Sequence, residues 1–167
     1  MAIASFASPK SPIFKFNIPQ TCGKCHGSVT EVFNVSVHGK AIAHGNDKAP
    51  VCTDCHGIHA ILPHIDPTSS VAAQNIARTT CGQCHGNVQI AREFGISAGR
   101  IRSYEESYHG LAKRLGSAEA ANCASCHGVH NILPKEDPKS TIHKANLVST
   151  CGRCHPGAGD TFVQGRV

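Results

Sequence analysis

The chain has 167 residues and a formal net charge of +5, with 40% apolar residues but only 5% aromatic ones and no tryptophan. That length suits one domain, yet 16 glycines and 9 prolines predict many turns and few long elements, which excludes an ordinary aromatic-filled core. No run of about 18 apolar residues could span a membrane, and no basic run with interleaved aromatics points to nucleic acid.

In chain order, residues 1–20 carry Lys10, Lys15 and several prolines without the apolar stretch of an export signal, and read as an N-terminal extension. From Thr21 onward the cysteines organise everything. Five motifs follow one another: Cys22-Gly23-Lys24-Cys25-His26, Cys52-Thr53-Asp54-Cys55-His56, Cys81-Gly82-Gln83-Cys84-His85, Cys123-Ala124-Ser125-Cys126-His127 and Cys151-Gly152-Arg153-Cys154-His155. They use all ten cysteines. In a Cys-x-x-Cys-His motif the two sulfurs form thioethers to the vinyl groups of one haem, and the histidine is the proximal ligand of its iron.

The alternatives fit less well. A disulfide scaffold gives no reason for a histidine after each cysteine pair. Zinc takes four ligands from two pairs and would strand the fifth pair. A thioredoxin-like redox site needs one copy on a βαβ scaffold, not five in turn-rich sequence. Five covalently attached c-type haems are therefore expected. Their propionates make the loaded protein more acidic than the +5 of the sequence, which weakens the case for nucleic acid further.

The motifs fall into repeats, 21–79 and 80–149, with an incomplete third copy at 150–167, all within one domain spanning 21–167. Val37-His38-Gly39 matches Tyr108-His109-Gly110, and Gly57-Ile58-His59 matches Gly128-Val129-His130. The second copy is longer: 12 residues separate His26 from His38, but 24 separate His85 from His109. The added stretch, within Val88 to Tyr108, predicts two short helices interrupted near Gly95 and Gly99. Asp66-Pro67 and Asp137-Pro138 predict helix starts, leading helices over Val71 to Arg78 and Ile142 to Val148. The expected fold class is mostly irregular with short α-helices and minimal β structure, the haems stacking on one another as the core.

The sixth ligand of each iron separates a carrier from a catalyst. Met1 is the only methionine, so histidine must serve, and seven lie outside the motifs. His38, His59, His109 and His130 recur in both copies and are expected ligands, whereas His44 and His64 do not recur and read as surface residues. The repeat logic suggests His59 for the haem on His26, His130 for that on His85, His38 for that on His56 and His109 for that on His127. His143, placed on a helix before Cys151, is left for the haem on His155.

With these residues in hand, the chain resembles the multihaem c-type cytochromes of bacterial respiration. Ala49 to Gly57, Ser107 to Ala112 and Ala121 to Pro134 are similar to the haem domains found with membrane cytochrome b subunits in quinone-linked electron transfer. The resemblance implies a periplasmic or extracellular electron carrier, not an enzyme, with a membrane cytochrome b or another multihaem cytochrome as redox partner. A homopolymeric cytochrome filament is the alternative. A multihaem redox enzyme fits less well, because such an enzyme needs an open iron position and all five motifs end in histidine.

Overall fold

The computed structural model describes residues 5–97 and 99–165. Among them there is no strand, and the helices are short: α1 (Ile18–Gly23), α2 (Gly27–Asn34), α3 (Val37–Ala43), α4 (Cys52–His56), α5 (Gly82–His85), α6 (Val88–Glu93), α7 (Arg100–Glu106), α8 (Tyr108–Arg114), α9 (Cys123–His127), α10 (Leu147–Gly152) and α11 (Asp160–Val163). None of them is long and apolar enough to cross a membrane. The chain packs as two compact units. The first comprises the residues up to Ile61 together with Val129–Leu133, and the second comprises Leu62–Gly128 and the residues from Pro134 onward.

The segments expected to be helices before the third and fifth motifs begin as tandem turns, and only their ends are helical, as a π-helical turn over Ile76–Cys81 and as a single 3-10 turn at Lys144–Asn146 leading into α10. Asp66 N donates to Pro63 O, Ser69 N to Asp66 O, Ala72 N to Ser69 O and Asn75 N to Ala72 O, a turn closing every three residues. The same ladder runs through Asp137, Ser140, His143 and Asn146. Asp66 and Asp137 accept from the backbone two residues on, at Thr68 N and Lys139 N (both 2.8 Å), so each aspartate closes a local turn where a helix cap was expected. One asparagine locks each spiral. Asn75 Nδ2 donates to Pro67 O (3.0 Å) and Ser69 O (2.7 Å), and Asn146 Nδ2 donates to Pro138 O and Ser140 O (both 2.8 Å).

Residues 8–17 form a third spiral of the same kind. Asn17 Nδ2 reaches Pro9 O at 2.8 Å and Ser11 O at 2.9 Å, and Ser8, Ser11, Phe14 and Asn17 close successive turns. The stretch expected to be an extension is thus built like the approaches to the other two Thr-Cys-Gly motifs. In each copy the threonine before the first cysteine ties the motif back to its spiral: Thr21 to Pro12 O, Thr80 to Ser70 O and Thr150 to Thr141 O.

From Asn17 to Cys22 is five residues and from Asn146 to Cys151 is five, but from Asn75 to Cys81 is six. The extra residue is absorbed as a π-helical turn over Ile76–Cys81. The longer insertion of the second copy behaves as its sequence predicts, forming α6 and α7 around a break where Gly95 has φ 63°. Tyr104 on α7 donates through its hydroxyl to Ala121 O at 2.9 Å, fastening the insertion to the approach of the fourth motif.

Hydrophobic burial contributes little. The buried apolar residues are Ile18, Ile42, Ala49, Val51, Ala72, Ala77 and Ala91, four of them alanine. Ile58, Ile61, Ile65, Val129, Leu115 and Phe162 are exposed. The accessible surface is 11429 Å², whereas a folded chain of this length exposes about 7,900 Å² and two separate folded halves about 9,500 Å² together. The polypeptide therefore presents more surface than a self-sufficient fold of its size, with large apolar side chains among the exposed residues.

Close backbone packing compensates locally. A Cβ on Gly39 would collide with Phe33 O, and one on Gly110 would collide with Tyr104 O, so these glycines let α3 and α8 start hard against the preceding helix. Gly39→Ala should lower stability by about 1–3 kcal/mol in denaturant unfolding. Gly27→Ala, which meets open space, should stay near the parent.

Candidate functional site

The motifs come in two local forms. In the first and fifth, the preceding helix runs into the cysteines: Cys25 N and His26 N both donate to Cys22 O (3.1 and 2.9 Å), and Cys154 N and His155 N both donate to Cys151 O (3.1 and 2.9 Å). One helical turn thereby places the first cysteine, the second cysteine and the histidine, at i, i+3 and i+4, on a single face. The third motif reaches the same arrangement from the π-helical turn into α5.

The second and fourth motifs are themselves helices, α4 and α9, starting at the first cysteine and ending at the histidine. Their middle residues cap them. Asn122 Oδ1 accepts from Ser125 N (3.2 Å) while Ser125 Oγ accepts from Asn122 N (3.1 Å), a reciprocal box, and in the first copy the Asp54 carboxylate accepts from Val51 N at 2.8 Å. Both helices end at a glycine in a positive-φ conformation, Gly57 at 84° and Gly128 at 81°, which ordinary residues rarely adopt. This turn carries His59 and His130 away from their own motifs.

Neighbouring motifs bring their sulfurs together. Burial pushes the Cys52 thiol up to about 11, and Cys22 beside it adds to the effect. A hydrogen bond from Cys81 holds the Cys123 thiol low, while burial raises Cys126, with Cys151 and Cys154 adding to it and Arg153 opposing. Motifs one and two are thus adjacent in the first unit, and motifs three, four and five are in series in the second. None of the ten cysteines is joined in a disulfide. Among the described residues, no group of three or more His, Cys, Asp or Glu side chains gathers to hold a bare metal ion.

Burial lowers His56, with His130 and His26 adding to the shift, and burial also lowers His85, His127 and His130. A lowered value keeps the imidazole neutral with a lone pair for a metal further into acid.

Two pairs of imidazoles face each other. The His56 and His130 rings lie 6.1 Å apart between centroids at 21°, and those of His109 and His155 lie 5.9 Å apart at 49°. Two imidazoles bound to opposite sides of one metal, with bonds of about 2.0–2.1 Å, have centroids roughly 6 Å apart. The chain's own residues thus fit a haem iron at both places. The backbone delivers each partner: Val37 N donates to Ile132 O at 2.9 Å, holding the segment of His130 in the first unit, and Ser107 caps α8 at Gly110 N (3.3 Å), fixing His109 on its first turn.

These pairs differ from the expected wiring, which gave His130 to His85 and His109 to His127. The repeat logic left His143 for the haem on His155. It lies in the turn spiral, not on a helix, and its Nδ1 accepts from Ala145 N at 3.3 Å, while His109 and Phe162 stand against His155. His38 sits half-buried on α3, where Ser36 accepts from Gly39 N at 3.0 Å just as Ser107 does from Gly110 N. His59 is exposed. His44 closes α3 with its Nδ1 2.6 Å from Lys40 O, and His64 is exposed, which suits the surface role expected of both.

The residues missed by the sequence reading are Ser36 and Ser107, Asn122, and the three asparagines of the spirals. All but Asn122 had a signal in the pattern, a Ser-x-His-Gly phrase or an asparagine eight residues after a proline. No protein-family model matches the chain, and no curated protein or solved structure is similar to it.

Replacing His109 with alanine should turn one haem of the loaded protein high-spin or open to added ligand, read in the Soret and visible bands.

Proposed function

We propose that this chain is an electron carrier holding five covalently attached c-type haems, each ligated by a motif histidine and a second histidine. The observation that carries the reading is the pairing of a motif histidine with a distant histidine at the spacing of two ligands on one iron, seen at His56 with His130 and at His109 with His155. The five repeated Cys-x-x-Cys-His faces, the neutral imidazoles and the exposed large apolar side chains support it.

A bound haem supplies one-electron exchange between ferrous and ferric iron. The residues do the rest. Each cysteine thiol adds across a vinyl group, so the attached haem contributes its whole mass and nothing leaves. The motif helix would orient the attached haem, and a facing histidine, His130 for His56 and His109 for His155, would be the second ligand and leave no open position for a small substrate. Cysteine-to-cysteine proximity between successive motifs sets neighbouring macrocycles close within each unit, as stepwise transfer requires.

The work of the chain is therefore relay, outside the cytoplasm in the periplasm or beyond, where haem attachment takes place. The resemblance to haem domains that accompany membrane cytochrome b makes such a quinone-reactive protein, or another multihaem cytochrome, the proposed redox partner.

Denaturing intact-mass measurement should find the chain plus five haems. A mass lacking any one of them would mean a vacant motif. The reduced native protein should bind carbon monoxide far below one equivalent; binding at a full equivalent would restore an enzyme reading.

A further inference from the structure

The middle positions of the five motifs are Lys24, Asp54, Gln83, Ser125 and Arg153, and the last reaches from the fifth motif to the fourth. Arg153 follows directly on α10. Its Nη2 donates to Ser125 O at 2.7 Å, a residue of the fourth motif 28 positions earlier, while its Nε donates to Thr150 O at 3.3 Å. Thr141, in the spiral that leads to the fifth motif, donates through Oγ1 to Cys126 O.

Both of those acceptors lie in the last turn of α9, where carbonyls have no partner within the helix. A guanidinium there meets the negative end of the helix and two fixed acceptors at once. The fourth and fifth motifs are thus fastened to each other by the side chains of Arg153 and of Thr141 in the spiral before it. The fastening is charged, and it lies among the cysteines of both motifs.

We propose that Arg153 is a positioning residue that holds the fifth motif against the fourth and, as a fixed cation, raises the reduction potential of the haems bound there. This rests on the haem reading given above. Reduction adds one electron to a haem, so a nearby positive charge that cannot titrate favours the reduced form. Arg153 is exposed, so its influence is screened by salt and strengthens at low ionic strength. The consequence is directional: electrons entering the second unit settle preferentially at its fourth and fifth haems.

The test uses the haem-loaded protein and the variants R153Q and R153K. Intact mass and the low-spin spectrum come first, and five haems are expected in all three proteins. A parent protein without covalent haem would remove the underlying reading together with this one. Spectroelectrochemical titration then decides the inference. With R153Q, the midpoints of two of the five haems should fall, more at low ionic strength than at high, while R153K should titrate close to the parent. A fully loaded R153Q that follows the parent curve would overturn the proposal, as would an R153K that falls as far as R153Q.

Discussion

The constraint on which everything else depends is that this polypeptide cannot bury a core from its own side chains. Seven buried apolar residues, four of them alanine, yield a small fraction of the stabilisation that ordering 160 residues demands. What order the chain has of itself comes from hydrogen bonds closed over short distances: turns every three residues, one asparagine amide per spiral, a threonine hydroxyl pinning each motif to the spiral before it. Such bonds fix direction but add little net stability in water, at about 0.5–1.5 kcal/mol each. On the haem reading proposed above, five large planar molecules covering Ile58, Ile61, Ile65 and Val129 would supply the missing apolar burial.

The alternation of two motif types gives this arrangement its economy. Motifs one, three and five end an incoming helical segment, while motifs two and four are free-standing helices capped by their own middle residue and stopped by a positive-φ glycine. The stop matters for ligation. It ends the motif helix at its histidine and sends the next histidine, His59 or His130, onto a different course, so that His130 meets the imidazole of an earlier motif. The Ser-x-His-Gly phrase does a complementary job by starting a helix with the histidine on its first turn and a glycine where the preceding helix leaves no room for a side chain.

Much of this was legible in the sequence. The motifs and repeats stand out because sulfur and imidazole positions are fixed by bond lengths, and the insertion helices show because Gly95 and Gly99 break an amphipathic run. A repeat tells which residues are equivalent and not which copies meet, so the nearness of His130 to His56 and of His109 to His155 had no signal in it. Asp66-Pro67 and Asp137-Pro138 misled for a chemical reason. An aspartate that caps a helix and one that closes a single turn use the same carboxylate on the same nearby amides, and only the asparagine further along, gathering the carbonyls of proline and serine, decides in favour of turns. The first spiral was hidden because Ser8 stands where the other copies have aspartate and no cysteine precedes it.

The turn spirals have a consequence for assembly. Every bond in them joins residues at most ten apart in sequence, so each can close as soon as its own stretch of chain has emerged, without waiting for distant partners. Three of the five cysteine pairs are thus held in place by scaffolding that is local and repeated, ready to receive their cargo one at a time. The chain behaves in this respect like a row of sockets on a cable, each serviceable before the next is wired.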